Sequence, residues 1–159
     1  MIREYIIVDC IYSDGFNPET IAMIRDAEND IVFSVVINDY SIKHIEEHKN
    51  DVFSHLNIGD HIKGELHIIY TRQIEIPNGK LWEQSIKIND KIISPHFEGK
   101  FEVLDIEPNG SILLQHPYWN SIIKTEPRVN IIVENKTVNL CGELYLETIG
   151  DAWKECINH

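Results

Sequence analysis

The residues with the clearest potential for chemistry lie at 44–48, which read HIEEH and match the spacing H-x-x-E-H. In zinc peptidases with this spacing, two His one helical turn apart bind the metal and the Glu activates water. At about 100° per residue, later polar residues fall within about 40° of the first His. They complete a candidate zinc-binding stripe of His44, His48, Asp51 and His55, with Glu47 as the candidate base of a hydrolase.

A solvated polar helix face explains the same stripe. The chain contains eight His, so pairs at this spacing arise by chance, and a third ligand to zinc has to come from elsewhere. The sequence holds no phosphate-binding glycine loop and no G-x-S-x-G nucleophile elbow. We therefore assign no catalytic residues and expect a protein that is not an enzyme, with zinc as the one cofactor alternative.

A second candidate site lies between 116 and 128, where the strand pattern is interrupted for about a dozen residues. Its Tyr118, Trp119 and Arg128 are residue types that are enriched at interface hot spots. The functional interpretation is a partner-binding loop anchored by these three residues. The alternative is that the rings close one end of the sheet as part of the core.

The acidic balance of the chain restricts its partners. It carries 14 Lys and Arg against 26 Asp and Glu, a formal net charge of −12. Binding to phosphate backbones or anionic membranes relies on basic patches, so both are disfavoured. A basic protein partner is favoured, because complementary charge speeds encounter. Small acidic proteins of this kind include immunity proteins and antitoxins that neutralise basic, nuclease-like toxins, and we expect a non-enzymatic binding or inhibitory protein.

Cysteine use and hydropathy indicate a compartment. Cys10, Cys141 and Cys156 are odd in number and irregularly spaced, unlike the disulfide framework of a secreted domain. The apolar run near the N-terminus is too short for a signal-peptide core, and no stretch approaches the roughly 20 apolar residues of a membrane span. We expect a cytoplasmic protein.

The elements that position these residues are mainly strands. Ile, Val and Thr number 42, against 3 Ala and 9 Leu, and β-branched side chains favour strands. From Ile62 to Ile76 apolar residues occupy most even positions, which predicts one half-buried strand with Tyr70 inside and acids such as Glu65 and Glu75 outside. Glu143 and Glu147 take outward positions in the last strand. The one helical pattern, at about 40–56, is amphipathic.

We therefore expect a mainly β, β-rich α+β fold. Short turns between strands predict an antiparallel, strongly curled sheet or barrel of OB-like character, with the helix at one end. A single domain over 1–159 is favoured; the alternative is a βββα unit at 1–58, a β meander at 59–150 and a tail at 151–159. An OB-like fold offers a further function, single-stranded nucleic-acid binding, with stacking rings from Tyr70, Trp82, Phe97 and Phe101.

Calorimetric titration of zinc into metal-free protein tests the His stripe. If His44 and His48 ligate zinc, we expect binding tighter than about 10 µM that His44→Ala and His48→Ala abolish. Zinc binding that survives both substitutions excludes the stripe as the zinc site.

Overall fold

The protein is mainly β and its strands form one large mixed sheet. A computed structural model describes residues 2–13, 19–39, 58–75, 81–87, 92–118 and 121–148. The expected helix at about 40–56 lies outside these residues. Within them no helix has the length and apolar character that a membrane crossing requires. The described strands are β1 (Arg3–Ser13), β2 (Glu19–Asp26), β3 (Val32–Asp39), β4 (His61–Gln73), β5 (Trp82–Lys87), β6 (Ile92–Ile106), β7 (Ile112–Gln115), β8 (Ile122–Thr125) and β9 (Thr137–Thr148).

The sheet curls into a ring because the long strands β4 and β9 pair with each other and with different neighbours at their two ends. One half of β4 and one half of β9 belong to a closed succession of strands, β1, β2, β3, β9 and β4, in which β4 pairs again with β1. The other half belongs to β4, β8, β7, β6, β9, which closes through pairing of β6 with β9. We call these the first and the second ring. Strand β5 adds to the outer edge of β6.

Two pairings correct the expectation of an antiparallel sheet. Strand β3 runs parallel to β9, and β4 runs parallel to β8. Parallel neighbours need a long crossover between them. Between β4 and β8 that crossover consists of β5, β6 and β7, and between β3 and β9 it contains all the strands from β4 to β8. The short turns that are visible in the sequence say nothing about such distant pairs.

Alternation of apolar and polar residues is confirmed in the first half of β4, where even positions are buried and odd positions are partly exposed. Gly64 occupies one of the buried positions. A Cβ at Gly64 would lie 2.6 Å from the Glu147 carbonyl oxygen, so only glycine lets β4 approach β9 there. The core combines the inner faces of both rings, and its largest fully buried side chains include Tyr5, Phe33, Phe97, Phe101, Ile24, Leu66, Ile68, Leu114 and Leu140.

A β-bulge interrupts the β4–β9 pairing. Ile69 pairs with Glu143 and Arg72 with Cys141, so Tyr70 and Thr71 together oppose Gly142. The extra residue reverses which face each later side chain occupies. The prediction that Tyr70 lies inside is therefore wrong: its side chain is 67% exposed, and its φ is +56°.

A glutamine fills the gap where the two rings separate. Near Ser34, β9 has left β3 to pair with β6, and the amide of Gln84 takes the vacated edge. Ser34 N donates to Gln84 Oε1 at 2.7 Å, and Gln84 Nε2 donates to the carbonyl oxygens of Ser34 at 2.9 Å and Pro95 at 3.2 Å. One side chain thus satisfies both backbone groups of Ser34, a fully buried residue.

Gln84→Leu leaves the Ser34 backbone N–H and carbonyl without these partners in the interior. We expect a loss of about 2–4 kcal/mol in the free energy of unfolding, because unsatisfied buried groups carry their full desolvation cost. Gln73→Leu is the matched control, since the Gln73 amide makes the same paired contact with the Ile132 backbone at the surface. That loss should stay below about 1 kcal/mol in urea titration. Equal losses would show that burial does not set the cost.

Candidate functional site

The outer face of β5, β6, β9 and β4 carries four side chains in a line across the sheet. Glu83 pairs with Glu98, Glu98 with Cys141, and Cys141 with Arg72. Adjacent strands lie about 4.8 Å apart, so this outer row extends over roughly 14 Å. Two carboxylates stand at one end of the row and one guanidinium at the other.

The Glu83–Glu98 pair breaks a rule of sheet stability. Like charges directly opposite each other on neighbouring strands repel. Among the described residues, no Lys, Arg or His forms an ion pair with either carboxylate. Glu83 is exposed and Glu98 is partly exposed, so an incoming cation has access to both. The pair is an acidic position that the described part of the fold leaves uncompensated.

The Glu65–Glu147 pair shows how the same molecule compensates such a contact. These two residues also face each other across neighbouring strands. His67 lies between them, with Nδ1 2.6 Å from Glu147 Oε2 and Nε2 3.3 Å from Glu65 Oε2. Burial raises the pKa of Glu65, but hydrogen bonds and nearby positive charge, including those of His67, outweigh it and lower that pKa overall. Glu147, expected at an exposed outward position, is buried with its side chain only 8% exposed.

A hollow of about 450 Å³ lies beside the bulge at the Arg72 end of the outer row. Tyr70, Arg72, His96 and Glu143 line it, and Cys141 forms part of its floor. Cys141 is only 4% exposed despite its outward position. Arg72 is exposed and, in the part of the chain that the structure describes, it makes no ion pair. The hollow therefore presents an aromatic ring beside an available guanidinium.

Two of the three residues predicted to anchor a partner-binding loop, Tyr118 and Arg128, lie apart. Strand β8 occupies the middle of the segment, so Tyr118 and Arg128 lie beyond opposite ends of the β7–β8 hairpin. The Tyr118 side chain is 51% exposed, and Arg128 is exposed beside the β6–β7 turn, where its backbone N donates to the Asn109 carbonyl at 3.2 Å. Trp119 lies outside the described residues.

The predicted zinc stripe also lies outside the described residues. His44, Glu47, His48, Asp51 and His55 all belong to 40–57, so its geometry stays a prediction. Among the residues that the structure does describe, no group of three or more His, Cys, Asp or Glu is arranged to hold a metal ion.

The outer row is equipped for ionic binding: its carboxylates accept hydrogen bonds from a cation, and its guanidinium donates them to an anion. Alternation in the sequence suffices to place Glu83 and Glu98 on outward positions. It does not reveal their mutual register or the bulge that brings Arg72 onto the same face.

Comparisons of this chain with protein-family models, with curated proteins and with solved structures found no match.

A buried imidazole lies in the aromatic core of the second ring. The His116 ring centroid is 4.5 Å from that of Trp82, and its Nδ1 accepts a hydrogen bond from the Tyr118 backbone N at 3.1 Å. Burial lowers the pKa of His116 to about 2. Between that value and the ordinary 6.5, the unfolded chain binds a proton at His116 that the folded chain does not. Stability is therefore lost as the pH falls below 6.5.

His116→Asn keeps a hydrogen-bond acceptor for Tyr118 N and removes the titration. Wild-type protein should lose up to about 1.4 kcal/mol of unfolding free energy per pH unit through His116 as the pH falls below 6.5. The variant should lack that part of the slope in urea titrations between about pH 7 and about pH 4. His96→Asn, the same change at an exposed side chain, is the control and should keep the wild-type slope. Identical slopes in both variants would contradict the assignment.

Proposed function

We propose that the protein is a non-enzymatic binding protein that engages a basic protein partner through the acidic end of its outer row. The Glu83–Glu98 pair carries this proposal, because repulsion between carboxylates that face each other on neighbouring strands weakens the sheet in the free protein. Departures from local stability rules concentrate at functional sites. A Lys or Arg from a partner would turn this repulsion into two attractive contacts.

The surroundings of the pair support a protein partner. Leu81 precedes Glu83 by two residues and its side chain is 50% exposed, so apolar contact area lies beside the carboxylates. Protein interfaces combine such apolar area with a charged or polar rim. The net charge of −12 favours fast encounter with a basic protein by long-range attraction.

An immunity protein or antitoxin that neutralises a basic, nuclease-like toxin is the specific form of this proposal. A cytoplasmic location and a single domain over 1–159 belong to the same proposal. Inhibitors of this class act by covering a basic surface and need no chemistry of their own. The analogy rests on composition and charge, because a fold by itself does not determine function.

An OB-like module that binds single-stranded nucleic acid is the second candidate. The closed succession of β1, β2, β3, β9 and β4 favours it, since OB folds are small, partly open five-stranded rings. Such modules need a positive groove with stacking aromatics. Trp82, Phe97 and Phe101 are buried, however, and the exposed Tyr70 lies on a strongly acidic chain. The protein-binding proposal is therefore preferred.

Neutralising the acidic pair tests the proposal. Glu83→Gln/Glu98→Gln should raise the free energy of unfolding by about 0.2–1 kcal/mol, because the cross-strand repulsion disappears. The same variant should bind the basic partner about tenfold or more weakly. The partner is obtained by affinity capture at low salt, released by raised salt and identified, and its binding to purified wild-type and variant chains is then measured by calorimetry.

Glu75→Gln/Glu134→Gln removes the same charge from two other exposed positions and is the matched control. It should bind the partner nearly as wild type does. Equal weakening by both variants would mean that overall charge, and not the outer row, governs binding. Tight binding of a fluorescent single-stranded oligonucleotide near physiological salt, without any basic protein partner, would favour the second candidate instead.

A further inference from the structure

The two ends of the outer row carry opposite charges. Within the described ranges, Glu83 and Glu98 stand together without a cation, and Arg72 stands at the far end without a carboxylate. Within one chain the two ends are about 10–14 Å apart, since two or three strand spacings separate them. Among the described side chains, no ion pair joins the two ends of the row.

Apolar groups follow the same order as the charges. Exposed Leu81 lies on the acidic side of the row, near Glu83. Exposed Tyr70 lies on the basic side, near Arg72, beside the hollow of about 450 Å³. One end is thus aliphatic and acidic, and the other is aromatic and basic. A surface with this order is complementary to itself under a two-fold rotation.

We infer that this face binds a second copy of the chain. A two-fold axis that lies between the two facing copies, parallel to the strands and passing between Glu98 and Cys141, places each end of the row against the opposite end of its mate. Arg72 of each copy then faces Glu83 of the other. Tyr70 and its hollow lie against the acidic end of the opposite copy. Symmetry makes every contact occur twice, as in isologous dimers.

The backbone at Tyr70 supports a role for its ring. A φ of +56° lies in the left-handed region, which is unfavourable for a bulky residue. Its 67% exposed side chain gains little from the core in return. Thr71 N donates a hydrogen bond to Glu126 Oε1 at 2.7 Å, which holds the bulge in place. Glycine at 142 leaves room for the bulge, because a Cβ there would lie 2.9 Å from the Ile69 carbonyl oxygen. The fold therefore holds the ring outward, where a second copy covers it.

The dimer goes beyond the proposed function and does not depend on it. It occupies the same carboxylates as the basic partner, so partner and second copy compete for Glu83. A basic partner therefore binds the monomer. Overall repulsion between two chains of charge −12 opposes dimerisation at low salt, and screening at about 0.15 M salt confines it to roughly 8 Å.

Sedimentation equilibrium near physiological salt tests the dimer over about 1–200 µM protein. Wild-type protein should approach twice the 18.5 kDa chain mass as its concentration rises. Arg72→Glu should raise the dimer dissociation constant by roughly tenfold or more. Arg72→Glu/Glu83→Arg exchanges both charges within each chain and should restore dimerisation, because every reversed residue again meets its opposite.

Two further variants separate the interface from folding. Tyr70→Asn places a residue that tolerates positive φ at the bulge, so it should keep or raise the thermal midpoint while weakening the dimer roughly tenfold or more. Arg128→Glu/Glu102→Arg makes matched charge reversals away from the outer row and should dimerise like wild type.

A mass that stays at one chain over the whole range overturns the inference. So does a dimer that Arg72→Glu leaves intact, or one that the double reversal fails to restore. Binding of the basic partner by the Arg72→Glu chain reports on the proposed function separately, because that chain keeps Glu83 and Glu98.

Discussion

The antiparallel contact between β4 and β9 is the constraint on which the rest of the structure depends. Each of these strands changes one of its partners along its length. Strand β4 passes from β1 to β8, and β9 passes from β6 to β3. Two closed successions of strands then share one seam, and their inner faces supply the core. Close approach along that seam requires glycine at 64 and 142.

The same contact determines what the outer surface offers. Without the bulge at Tyr70 and Thr71, alternation from Ile68 would direct Arg72 toward the core face. The inserted residue instead brings the guanidinium into line with Cys141, Glu98 and Glu83. A local irregularity in one strand pair thus creates a charged row across four strands. In the Glu65–Glu147 pair His67 lies between the carboxylates, whereas none of the described Lys, Arg or His residues takes that place at the Glu83–Glu98 pair.

Sequence reasoning succeeded where the determining interactions are local. Alternation from Ile62 to Ile68 predicts which β4 side chains are buried. The turn residues at 28–30 (END) and 107–110 (EPNG) predict the β2–β3 and β6–β7 hairpins. It failed where a distant strand decides. The parallel β3–β9 and β4–β8 pairings involve segments that are far apart in sequence, and the bulge that exposes Tyr70 depends on Gly142 opposite it.

The candidate site was harder to predict than the fold for the same reason. Nothing in their own strands marks Glu83 and Glu98, which take ordinary outward positions, or Arg72, which follows the bulge in β4. Only the register between strands places the three residues in one row. Tyr118, Trp119 and Arg128 suggest an interface from sequence because their types are frequent in interfaces. Strand β8 separates Tyr118 from Arg128. Residue type alone therefore does not reveal that Tyr118 and Arg128 lie apart, or that Glu83, Glu98 and Arg72 share one row.

The shared seam also affects how the chain acquires its structure during synthesis. Glu65 and Glu147 pair although they are about 80 positions apart in sequence. Neither ring can close before β9 has emerged from the ribosome, so β3, β4 and β6 expose unpaired edges until then. Long-range pairing of this kind slows folding and leaves nascent β chains open to association. A chain that stops before β9 would keep its hairpins but have no closed ring, which makes it a natural client for chaperones and proteases.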